Sequence, residues 1–197
     1  FKQKTAYEIY QCDWSSDVCS SDLNQYFQKA REVIERYDGL VYQYVGDEIV
    51  FHFKGEHESS MQKALACIRS LFEIAEEIEK SLPAEADHYF KLKASLVFDN
   101  LRFCQLDSGY SLSGVALIES NRLLSQIDDK SKNTVAFFEY EIQNLKRLCN
   151  IANVQEAQLK GFSQKAKVAR AYEFSPIENV KKTDRKSTRL NSSHTDI

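Results

Sequence analysis

Residues 40–53 read LVYQYVGDEIVFHF, two runs of Val, Tyr, Ile, Leu and Phe on either side of Gly46-Asp47. Short β-branched and aromatic runs around such a pair predict a β-hairpin, with Gly46 at the first central position of a tight turn. Asp47 then sits at the exposed end of two rigid strands. That place suits a hard divalent ion, which takes one or two carboxylates together with substrate phosphate oxygens. Taken alone, Gly-Asp is also what an ordinary structural turn prefers.

Working outward, Tyr26, Phe27, Ala30, Val33, Ile34 and Tyr37 recur at helical spacing, with Asp38-Gly39 as a stop signal. After the hairpin, Met61, Leu65, Ile68, Phe72, Ala75 and Ile78 mark an amphipathic helix over 58–82 that ends at Pro83. Residues 89–98 read as a strand paired with LRFCQL at 101–106, and Asp107-Ser108-Gly109 as a turn. A helix over about 113–127, a short strand TVAFF at 134–138 and a short helix over 139–148 follow. NVQEAQL and AKVARAYEF form a last hairpin around Lys160-Gly161-Phe162. This order predicts an α+β domain, a largely antiparallel sheet with its helices on one face.

Length, 43% hydrophobic content and a net charge of −3 fit a single globular domain with no basic footprint for nucleic acid. No apolar run approaches the ~20 residues of a membrane span. The five cysteines show no paired metal-ligand spacing, and their odd number suits a reducing compartment, so the expected location is cytoplasmic. Cys67 in a helix and Cys104 in a strand read as core thiols. His52, His57 and His88 show no ligand spacing.

Both ends are set apart. KQKTAYEI at 2–9 and DWSSDVCSSDL at 13–23 are what a widely used sequencing-library adapter encodes, and DRKSTRLNSSH at 184–194 is its opposite orientation. Residues 1–23 and 184–197 are therefore read as artefactual, adapter-like segments outside the fold, and residues 24–183 as the domain.

Two further stretches carry candidate chemistry. In YSLSGVALIESNRLLSQI, residues 110–127, Gly114 permits a close approach at the helix start. Arg122, two turns on, could reach a triphosphate, or lie solvated on an amphipathic helix. In QLKGFSQKAKV, residues 158–168, Lys160, Lys165 and Lys167 could meet phosphate at a hairpin tip, or simply be solvated.

These stretches in this order, YDGLVYQYVGDEIVFHF, then YSLSGVALIESNRLL, then LKGF, resemble the class III adenylate/guanylate cyclase domain over nearly all of 24–175. The resemblance implies a ferredoxin-like βαββαβ core that acts as a homodimer with its sites at the subunit interface. It implies conversion of ATP or GTP to a 3′,5′-cyclic nucleotide and pyrophosphate in bacterial signal transduction, with two Mg²⁺ or Mn²⁺ ions. Asp47 matches the second metal aspartate and Arg122 the transition-state arginine, and Gly46, Gln43, Ser111 and Lys160 are the expected nucleotide-binding residues. The first metal aspartate belongs to a strand before residue 24, so the expectation is a domain with its first strand missing and inactive as it stands.

Several positions depart from the family pattern. Ile118 replaces the asparagine one turn before Arg122, and Val115 the polar residue after Gly114. The purine-reading pair would be Gln43 and Ser111, which fits neither the adenylate nor the guanylate pattern, and Val97-Phe98-Asp99 stands where His-x-Gly is common. Loss of an oriented transition-state donor costs ~10²–10³ in rate. The alternative implied is a degenerate cyclase-homology domain, a dimerising or nucleotide-binding regulatory module. A GGDEF-type diguanylate cyclase shares the look of VGDEIVF, but the 113–124 and Lys160-Gly161 segments have no place in it.

Overall fold

A computed structural model describes residues 3–12, 20–81, 92–106, 109–127, 133–147 and 149–174. In chain order the elements are β1 (Gln3–Cys12), α1 (Ser20–Arg36), β2 (Gly39–Val45), β3 (Glu48–Lys54), α2 (His57–Ser81) and β4 (Leu92–Leu106). Then come β5 (Gly109–Ser113), α3 (Val115–Leu124), β6 (Thr134–Phe138), a 3₁₀ turn at Glu139–Glu141, α4 (Ile142–Leu145), β7 (Cys149–Ala157) and β8 (Ala166–Phe174).

The strands order as β2-β3-β1-β4-β6-β8-β7, with β5 paired to β4 off this path. The first four give the ferredoxin-like arrangement, with α1 and α2 as its crossovers. Every pairing is antiparallel except β4 with β6. The fold is the α+β, mostly antiparallel one expected.

Four expectations are corrected. The place of the first strand is not empty: residues 3–12 form β1 between β3 and β4. Two long strands whose facing backbone groups would otherwise lack partners leave a slot that any extended segment can fill. TAYEIY supplies suitable β formers. Residues 3–12 thus pair on both sides, with β3 and with β4.

Second, the helices divide between two faces. Ile49, Phe51 and Phe53 of β3, Leu92, Ala94 and Leu96 of β4 and Val135 and Phe137 of β6 join α1 and α2 in one core. The alternate residues Val50, Val97, Leu101, Ala136 and Phe138 join Ala116, Leu123 and Leu124 of α3 in the other. Successive strand side chains point to opposite faces, so apolar residues in sequence require cover on both.

Third, β4 runs unbroken through Asp99-Asn100, and its far half pairs with β5 rather than with its own first half. Fourth, Cys104 is exposed, because β4 has left the main sheet there, whereas Cys67 is buried as expected. His88 lies outside the described residues.

Local chemistry explains the element ends. Tyr26, Ala30, Val33 and Ile34 of α1 are buried as one stripe. Asp38 then takes the left-handed conformation at φ 64, and its carboxylate accepts from Lys63 Nζ at 2.9 Å. A Cβ at Gly39 would lie 2.7 Å from Ile34 Cγ2, so only glycine lets β2 leave α1 this closely.

Candidate functional site

The hairpin forms as read. Gly46, at φ +61 with open space around it, and Asp47 make the two-residue turn between β2 and β3. Asp47 is half-buried, as is Glu48, the next residue. Burial first, and the Asp47 charge second, push the Glu48 carboxyl above its ordinary range. Two carboxylates held close enough to repel are relieved by a cation, so this donor set fits one hard divalent ion. Glu48 adjoins Asp47 but lies outside the Gly46-Asp47 turn pair, so the turn pattern alone does not single it out. The described residues hold no cluster of three or more metal-ligating side chains. They do not complete a two-ion site.

Arg122 lies half-buried on α3, and its Nε is buried with no hydrogen-bond partner. One turn earlier Ile118 is 55% exposed, and Val115, one turn before Ile118, is 56% exposed. Two large apolar side chains thus stand exposed along the two turns of α3 that precede Arg122. Gly114 serves the backbone: a Cβ there would lie 2.7 Å from Leu101 Cδ2 and 3.1 Å from Asn100 O, so it seats α3 on β4.

Gln43 is exposed on β2 beside a bulge, in a groove of about 270 Å³ shared with Arg31, Glu35 and Tyr44. Ser111 is half-buried in β5 opposite Cys104. Their neighbours Tyr42 and Tyr110 meet at 5.9 Å between ring centroids, so the β4–β5 ribbon folds back over the second face to bring β5 against β2. Phe103 joins this patch, 5.8 Å from Tyr110 and 5.4 Å from the ring of His52, with Lys54 Nζ 5.0 Å over its face. Lys160 is exposed at the β7–β8 tip, where Gly161 at φ 87 makes the turn.

The registers show which of these residues one chain can unite. Tyr10 pairs with both Ile49 and Ala94, and Lys93 with Thr134, so Asp47 lies at the end of the sheet where β6 begins. Phe138 pairs with Val168 and Ala157 with Ala166, so Lys160 lies at the opposite end. The two are separated by roughly 30 Å along the strands and four interstrand steps across, roughly 20 Å. Gln43 and Ser111 adjoin residues that meet, whereas Asp47 and Lys160 lie at opposite ends of the sheet.

This is the fold of class III adenylyl and guanylyl cyclase catalytic domains. The adenylyl cyclase CyaB from P. aeruginosa superposes with a TM-score of 0.76 at 12% identity, over 91% of this chain and 98% of that one. The guanylate cyclase domain of RhGC from Catenaria anguillulae, solved in complex with GTP, gives 0.71 at 12% identity over 88% and 98%. The non-canonical dimeric guanylyl cyclase domain of the RhoGC fusion protein from Blastocladiella emersonii gives 0.70 at 12% identity over 88% and 98%. No protein-family profile and no curated sequence matches the chain. Identity this low carries the fold alone. Among the described residues no helix is long and apolar enough to cross a membrane.

Proposed function

We propose that residues 24–183 are the greater part of a nucleotidyl cyclase domain that, when complete, closes ATP or GTP to a 3′,5′-cyclic nucleotide and releases pyrophosphate, in a homodimer, within bacterial signalling. The observation that carries this reading is the separation of Asp47 from Lys160 on one fold. A triphosphate that needs both must lie between two copies, the tip of one against α3 and the β7–β8 turn of the other. The exposed Val115 and Ile118 and the aromatic Tyr42–Phe103–Tyr110 patch support such an interface, since apolar surface of this kind is costly to leave in water.

In that arrangement the ribose 3′-hydroxyl gives up its proton to solvent as its oxygen attacks the α-phosphorus, the bond from the α-phosphorus to the oxygen bridging it to the β-phosphate breaks, and pyrophosphate leaves. Asp47, with Glu48 beside it, would hold one Mg²⁺ or Mn²⁺, which supplies charge neutralisation at the phosphates. Arg122 offers its guanidinium to the charge developing on the phosphoryl oxygens. Lys160 steadies the phosphates, and Gln43 and Ser111 present amide and hydroxyl groups to the purine edge.

The same chemistry favours a second reading. An exposed isoleucine at position 118 removes a donor beside Arg122, which suits a dimeric module that holds a nucleotide without turnover. The two readings part on one assay of the complete domain, its first metal-bearing strand restored, with ATP and with GTP in Mn²⁺. The catalytic reading expects cyclic nucleotide formation that falls at least ~10²-fold in Asp47→Ala and in Arg122→Ala. Unchanged activity in Asp47→Ala would sink the metal assignment. Absence of turnover with metal-dependent nucleotide binding would establish the module.

A further inference from the structure

A cavity of about 490 Å³ opens between α3, the end of β6 and the approach to β8, and none of the six nucleotide-site residues lines it. Its floor is aromatic. The rings of Phe138 and Tyr140 stack at 5.4 Å with only 16° between their planes, and Phe162 adds a third. Tyr140 is 62% exposed, a large open ring face for a surface residue.

The walls differ in charge. On the α3 side stands Glu119, its carboxyl pushed up by burial and by the nearby Asp99. The Tyr140 phenol beside it is also pushed up, by burial and then by Glu119, Glu141 and Asp99. This wall therefore carries a negative field. On the β8 side Lys167 is tied to Glu139 at 3.3 Å, while Lys165 is exposed and has no ion-pair partner among the described residues.

We propose that this cavity binds a small zwitterion with a flat apolar body, its ammonium toward Glu119, its carboxylate toward Lys165 and its ring against Phe138, Tyr140 and Phe162. The volume falls within the range of small-molecule pockets, with a few polar groups around an apolar lining. A cation at Glu119 offsets its repulsion with Asp99 and gains from the open Tyr140 face. A simple cation leaves Lys165 unmatched, and a simple anion faces Glu119. Only a molecule carrying both charges uses both walls.

The test compares tryptophan, tryptamine and indole-3-propionate on the full 197-residue chain by titration calorimetry. These share one ring and differ only in charge. Tryptophan is expected to bind tightest. Glu119→Gln should weaken tryptophan and tryptamine roughly tenfold and spare indole-3-propionate, the loss of one charge-assisted contact. Lys165→Ala should weaken tryptophan and indole-3-propionate and spare tryptamine. No saturable binding of any of the three, equal binding by a singly charged one, or indifference to both substitutions overturns the proposal. The ranking on the unaltered chain decides even if a variant fails to fold.

Discussion

The two faces of the sheet are built to different ends. The first is sealed: α1 and α2 cover it, and Phe51, Phe53, Leu65 and Ile68 between them are wholly buried. The second is sealed only over β1, β4 and β6 by α3. Toward β2 and β3 its cover is the folded-back β4–β5 ribbon, whose Phe103 and Tyr110 stay partly in water at 36% and 41% exposure. One face spends its apolar surface on stability. The other holds apolar surface in reserve, beside the residues proposed to act across an interface.

The largest expected effect separates them directly. Phe51→Ala removes a wholly buried ring and should lower unfolding free energy by about 3–5 kcal/mol in urea titration. Phe103→Ala should cost about 1–2 kcal/mol at low protein concentration, because about a third of its surface is already wet. Its effect should fall on association instead, as a shift toward monomer in sedimentation velocity. Equal costs for the two substitutions would erase the contrast between the faces.

The next effect is pH-dependent and also belongs to the second face. Burial first, and the Lys54 charge second, push His52 down to about 4. The unfolded side chain titrates near 6.5, so between these values the unfolded state binds more protons and stability rises with pH. The contribution is fully present above about 6.5 and is lost as pH falls toward 4, on the order of 2 kcal/mol. Raised carboxyls such as Glu48 and Glu119 act with the opposite sign, so the comparison is with His52→Leu, which should flatten this window. A slope that persists in His52→Leu would place the proton uptake elsewhere.

What could be read from the chain follows the same division. The 40–53 and 153–174 hairpins and the α1 and α2 stripes were legible because local periodicity and turn chemistry set them, although β7 begins earlier, at Cys149. Asp99-Asn100 misled, since two polar residues look like a turn. They remain in the strand, with the Asn100 amide donating to Asp99 Oδ1 at 2.6 Å where β4 leaves the main sheet. The second helical layer left a trace that was readable: TVAFF at 134–138 is buried at all five positions, which no one-sided sheet permits. Asp47 was legible as a turn carboxylate. Its distance from Lys160 was not, because that depends on register across five strands.

The smallest expected effect on stability is the sharpest on function. Ile118 is exposed on α3, so Ile118→Asn should change unfolding free energy by no more than about 0.5 kcal/mol at low concentration. It trades apolar surface for an amide one turn from Arg122, whose Nε is buried without a partner. If α3 meets the hairpin tip of a second copy, the substitution should weaken association and raise cyclic nucleotide formation together, because the amide restores a donor beside the arginine. Weaker association with no gain in turnover would leave the second face as an interface alone. A loss of stability above about 2 kcal/mol at low concentration would mean that Ile118 is already covered within the single chain, and the division between the faces would fail.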